Sequence, residues 1–402
     1  MTMASRPIGS AAASRLWRGA AVLSRGFRPF FLVAGAWAVI GMAIWPPFFA
    51  GQIEVPTAFS PVDWHAHEMI FGYVGAVVAG FLLTAIPNWT GRLPVAGVPL
   101  ASLIASWAAG RVAVFFSAEI GRVPAALIDA AFLAVFACVM AREVIAGHNR
   151  RNFKVIALVL ALSLDNIAFH LEDERFGLAE MSTRAALGLI VMLILLVGGR
   201  VTPSFTNNWL AKARLTERPA PFGKADSAIL GLSAVTLALW VAAPESVATG
   251  ALALLAGVAN LWRLSRWRGL AARRDALVFV LHAGFFFAAA GFLVAGAGAL
   301  WPSRIAYAAG VHVWAVGAVG VMTLAMMTRA TLGHSGRALV ASKATQFAYL
   351  CVVVALAARL TMAFAPQFAR PMMDLAAGAW ILAFATFLFI YAPILMRRSG
   401  PA

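Results

Sequence analysis

The chain has 402 residues, of which 62% are hydrophobic and only 12% charged, a balance that excludes a soluble globular domain. Its apolar residues run in long blocks without the alternation of an outer-membrane barrel. The net charge of +16 marks no nucleic-acid partner, because the basic residues gather in loops on one side of those blocks.

A segment over 1–28, rich in Arg, Ser and Ala and free of acids, precedes the first block. Its composition resembles an organelle transit peptide, but a short cytoplasmic tail is the plainer reading. Twelve spans then follow, near 29–51, 65–89, 95–117, 123–146, 153–172, 183–203, 226–244, 247–267, 276–298, 304–328, 345–364 and 373–395. Each is long enough for about 30 Å of hydrocarbon at ~1.5 Å per residue. The expected fold is therefore an all-α, polytopic membrane bundle. It forms one domain over 29–395, with a short tail over 396–402. Most of the Lys and Arg fall on one side of the spans, the side that includes the loops Arg150-Arg151, Lys212 to Lys224 and Arg263 to Arg274. The opposite loops hold Glu54, Asp63, Glu172-Asp173-Glu174 and Glu245. By the positive-inside rule both termini are expected in the cytoplasm. No internal repeat is visible, which argues against an inverted-repeat transporter. Cys138 and Cys351 lie in separate spans and form no C-x-x-C or C-x-x-C-H pattern, so thiol redox chemistry and covalent heme are not indicated.

The second span opens on Ser60, a candidate N-cap, with Pro61 at the first helical position and Asp63 in the first turn. His65, His67 and Glu68 follow at once. At about 100° per residue, His65 and His67 point about 200° apart, so a regular helix cannot offer both to one ion. On the His65 flank lie Glu68, Gly72, Ala76 and Gly80, small enough for a flat macrocycle or a closely packed helix. The His67 flank is bulkier, with Phe71, Val74 and Val78.

Further polar groups enter the same outer half. Arg111 in the third span and Asp129 in the fourth have matched depths and are expected to pair. Asp165, Asn166 and His170 come late in the fifth span, with Asn166 and His170 one turn apart on one face. His312 enters the tenth span. Ionisable groups at such depth mark function by default. Imidazole suits iron, copper and zinc, and a carboxylate commonly fixes the second ring nitrogen; Glu68 and Asp165 are candidates for that support and for proton delivery. His282 lies deeper, toward the basic side, so either the expected boundary of its span is off by several residues or it serves a second site. His334 lies at the basic end of the tenth span, and His148 is in a basic-side loop. The metal-ligand candidates are thus His65, His67, His170, His282, His312 and His334.

Several motifs resemble the NnrS family: Phe27-Arg28-Pro29-Phe30-Phe31, Trp64-His65-Ala66-His67-Glu68-Met69, Pro87-Asn88-Trp89-Thr90-Gly91-Arg92, Gly199-Arg200-Val201-Thr202-Pro203 and the run from Met322 through His334 to Arg337. The resemblance implies a bacterial inner-membrane protein of the nitric oxide response that contains heme and copper. It carries motif histidines onto His65, His67, His312 and His334, with His170 and His282 as weaker matches. His65, His67, His282 and His312 are the expected cofactor-binding residues, with no motif dividing them between copper and a non-covalent, b-type heme. Nitric oxide is the expected ligand or substrate, and a quinol or cytochrome the electron donor should the site reduce it. Two other readings stand beside this one. The first is a transporter or metal-handling permease; the second is a non-catalytic factor that protects iron and respiratory enzymes under nitrosative stress.

Overall fold

A computed structural model describes residues 18–398. Residues 1–17 of the expected N-terminal tail and 399–402 of the C-terminal tail lie outside the described residues. The chain is 82% helical, without strands among the described residues, and has twelve helices long and apolar enough to cross a membrane. We label them α1 (Phe27–Phe49), α2 (Pro61–Thr90), α3 (Val98–Phe115), α4 (Arg122–Ala146), α5 (Phe153–Phe176), α6 (Glu180–Lys212), α7 (Lys224–Ala242), α8 (Val247–Ser265), α9 (Ala276–Leu300), α10 (Tyr307–His334), α11 (Lys343–Phe364) and α12 (Pro366–Met396). The expected spans are all present. The largest extensions are at α6, which runs to Lys212, at α12, which begins at Pro366, and at α10, which runs to His334.

Consecutive helices pack against one another round the bundle, and α12 closes the ring on α1. Arg28, buried near the start of α1, fastens that closure. Its Nη1 donates to the carbonyls of Ile394 (3.1 Å), Leu395 (2.9 Å) and Arg397 (2.6 Å), where the last turn of α12 leaves oxygens without helical partners.

The most buried spans are α2, α6 and α10, at 78%, 67% and 72%, which places them innermost. Each contains a π turn, at Glu68–Val74, Ile194–Gly198 and Val313–Gly320. The sequence shows no repeat, yet this device recurs at every fourth span. A π turn widens the helix and disturbs the hydrogen-bond ladder, and here side chains bond to carbonyls at each one. Trp107 Nε1 donates to Gly72 O (2.9 Å), Arg263 to Leu195 O (3.1 Å), and the Thr323 hydroxyl to Val319 O (2.6 Å) and Gly320 O (3.1 Å).

Candidate functional site

The start of α2 forms as its sequence predicts. Ser60 Oγ accepts from the Asp63 N–H (3.1 Å) and donates to Asp63 Oδ2 (2.7 Å), with Pro61 at the first helical position. His65 and His67 then leave on opposite flanks and join two different constellations.

The His67 constellation is fully buried. His67 Nδ1 lies 3.1 Å from Glu68 Oε1, while Nε2 lies 3.1 Å from both Asn166 Oδ1 and Asp129 Oδ2. His170 Nε2 reaches the same Asp129 Oδ2 at 3.1 Å. Arg111 donates to Glu68 Oε1 at 2.9 Å and to Asp129 Oδ1, so the expected Arg111–Asp129 pair forms and Glu68 joins it. α2, α3, α4 and α5 each contribute to this group. Close approach of α2 to α3 depends on Gly72, where an added Cβ would stand 2.7 Å from Arg111 Nη1.

Two carboxylates and one guanidinium leave one negative charge in a site closed to water. A proton on an imidazole, or a metal ion, would balance it. One donor atom from each of His67, Asp129 and His170 lies within 4.8 Å of the others, a set able to hold a metal ion. Three neighbouring atoms, Glu68 Oε2, Arg111 Nε and Asn166 Nδ2, are buried without a protein partner. The rings of Phe59, Phe71 and Phe169 surround His67 at centroid distances of 5.3, 5.0 and 5.1 Å. The three phenyl rings form a close cage about the imidazole.

Half-buried on the other flank, the His65 ring stacks on Trp45 at 4.2 Å, and its Nδ1 is buried without a partner. His312 on α10 lies near enough to interact with it electrostatically. His312 Nδ1 donates to Ala308 O (2.7 Å), and Arg359 Nη2 donates to His312 Nε2 (2.7 Å). The imidazole is therefore held as the Nδ1–H tautomer, its lone pair facing the guanidinium. Arg359 also reaches Met362 Sδ at 3.1 Å and lies 5.9 Å from the Trp45 ring centroid. Sequence reasoning missed this role for Arg359. The usable signal was depth, since Arg359 and His312 both lie little more than one turn inside the acidic ends of their spans.

The remaining candidates stand apart. His282 is buried near the basic end of α9, with Nε2 2.8 Å from the Thr206 hydroxyl and the Trp267 ring 6.4 Å away. His334 lines a cavity at the basic end of α10. Asp165 is half-buried with Oδ2 lacking a partner, and it bonds to none of the histidines, although the adjacent Asn166 does. His148 is exposed.

No curated protein matches the chain. A family model described as NnrS protein matches residues 21–399, nearly its whole length. With twelve apolar helices that match makes this a multi-pass membrane protein of the nitric oxide response, and the chain belongs to the NnrS family.

Proposed function

We propose that the protein binds nitric oxide at a metal centre embedded near the acidic end of the bundle, in a bacterial inner membrane with the basic loops in the cytoplasm. The observation that carries this reading is the buried His67–Asp129–His170 set, backed by Glu68 on the far nitrogen of His67. Two imidazoles and a carboxylate suit copper, and the carboxylate behind His67 would keep its Nε2 turned to the ion. Nitric oxide is small and apolar, so it reaches such a site from the hydrocarbon without a polar channel.

The heme that the family implies has different requirements. His67 sits in the phenyl cage, and His282 Nε2 is held by Thr206. His65 fits better, because its Nδ1 is buried and partnerless, whereas both ring nitrogens of His312 are engaged, Nδ1 with Ala308 O and Nε2 with Arg359. His65 would hold the heme, with Arg359 offering positive charge to its acid groups. Bound metal and heme would supply the sites at which nitric oxide coordinates and electrons enter. Reduction would convert two nitric oxide molecules, two electrons and two protons into nitrous oxide and water. We assign the movement of those protons to Glu68, which touches His67, with Asp165, which bonds to none of the histidines, as a second acid, and a quinol or cytochrome would supply the electrons.

Metal analysis and visible absorption of the purified protein test the reading. Copper with a Soret band that shifts on adding nitric oxide supports it. A colourless, metal-free protein that takes up neither group on reconstitution overturns it. Consumption of nitric oxide with a donor present would separate a reductase from a binder.

A further inference from the structure

Four arginines are buried among the described residues: Arg28, Arg111, Arg263 and Arg329. Three of them have partners suited to their charge. Arg28 donates to the carbonyls ending α12, Arg111 pairs with Glu68 and Asp129, and Arg263 pairs with Asp226 at 3.1 Å. Arg329 differs. It is 8% exposed, yet among the described residues it has no hydrogen bond and no carboxylate within ion-pair distance. Its guanidinium lies 4.0 Å from the centroid of the Phe205 ring. Asp275, whose charge reaches it, is engaged instead with the Val278 N–H at 3.1 Å. A buried cation without a counter-charge is costly, and stacking on one ring offsets only part of that cost.

The missing anion has a place to go. Arg329 lines a cavity of about 540 Å³ among the basic ends of α1, α2, α6 and α10. That volume falls within the roughly 300–1,000 Å³ of small-molecule sites. Arg200 and His334 line the same cavity. Neither ring nitrogen of His334 has a hydrogen-bond partner among the described residues. Apolar wall comes from Phe31, Phe205 and Met326. Arg329 sits little more than one turn inside the basic end of α10, where a headgroup phosphate could meet it.

We propose that this cavity holds one anionic phospholipid from the leaflet at the basic end. Its phosphate would rest on Arg329 beside Arg200 and His334, and an acyl chain would lie along Phe31, Phe205 and Met326. Basic pockets between membrane helices recognise acidic headgroups in this way. A free phosphate shares the charge but leaves the apolar wall without a use. The inference is independent of the metal chemistry at the opposite end of the bundle.

The test uses the full-length chain in a mild detergent, with bound lipid counted by native mass spectrometry. Dioleoyl phosphatidylglycerol, dioleoyl phosphatidylcholine and inorganic phosphate are titrated onto the wild type, R329Q and A330W. Ala330 lines the cavity, so the Trp fills the space while leaving the guanidinium in place. The wild type should retain one phosphatidylglycerol per chain in preference to phosphatidylcholine. R329Q should weaken that retention about five- to tenfold, and A330W should abolish it. Equal retention of both lipids overturns the proposal, as does wild-type retention in A330W. Displacement of phosphatidylglycerol by millimolar inorganic phosphate would overturn it as well, by showing that the chain-binding wall contributes nothing.

Discussion

Replacing Glu68 with Gln separates the support given to His67 from the metal ligands themselves. The amide keeps the carboxylate's volume and removes its charge. Glu68 Oε1 serves two groups at once, His67 Nδ1 at 3.1 Å and Arg111 at 2.9 Å. A carboxylate behind a metal-binding imidazole contributes about 10–100-fold in metal affinity, which is about 1.4–2.8 kcal/mol at 1.4 kcal/mol per decade. Arg111 keeps Asp129 in the variant, so the fold should lose less than the roughly 3–5 kcal/mol of a buried pair broken outright. Copper affinity is measured on the detergent-purified chain against a chromophoric chelator, and stability by tryptophan fluorescence during heating. The expected result is 10–100-fold weaker copper with a modest fall in melting temperature, relative to a wild type measured in the same detergent. Wild-type affinity in Glu68→Gln, together with lost affinity in His170→Ala, would refute the role given to Glu68. Unchanged affinity in both variants would refute the site.

Four further substitutions probe the other parts of the structure. His65→Ala should remove the Soret band while leaving copper bound, whereas His148→Ala, on an exposed loop, should change neither; absorption and metal analysis check both. Gly72→Ala places a Cβ 2.7 Å from Arg111 and 2.8 Å from Trp37 Nε1, and thermal unfolding should show a loss of about 1–3 kcal/mol. Arg263→Met strands Leu195 O and weakens the hold on Asp226. Because Arg266 remains 3.3 Å from that carboxylate, the cost should lie near about 3 kcal/mol in the same assay.

Much of this arrangement was legible from spacing alone. Apolar run lengths located the spans, since lipid forces each crossing segment to satisfy its own backbone. Depth counting paired Arg111 with Asp129, and the 3.6-residue period put Asn166 and His170 on one face, where they meet His67 and Asp129. The same period separated His65 from His67. It also placed Glu68 on the His65 flank, whereas Glu68 bonds to His67 and Arg111. The reason is local: the π turn begins at Glu68, so the regular period ends there, and a long carboxylate reaches sideways to the guanidinium. No hydropathy pattern announces a π turn, because its residues are as apolar as those of an ordinary helix. Depth alone also grouped His65 and His312 with His67 and His170. Which neighbours share a wall depends on the order of helices round the ring, and a linear chain with no visible repeat does not encode that order locally.

The widened turn in α2 fixes more than the shape of one helix. Winding the same residues from Glu68 to Val74 as a regular α-helix would swing the segment before it by about 100° against the segment after it. His67 would then face a different wall of the bundle, although every side chain named in the metal set would still be present in the gene. Winding of the backbone is thus part of the specification of this centre, alongside residue identity. A relative that kept all the histidines and the same residue count, but wound this stretch as a regular helix, would carry the motif without the site.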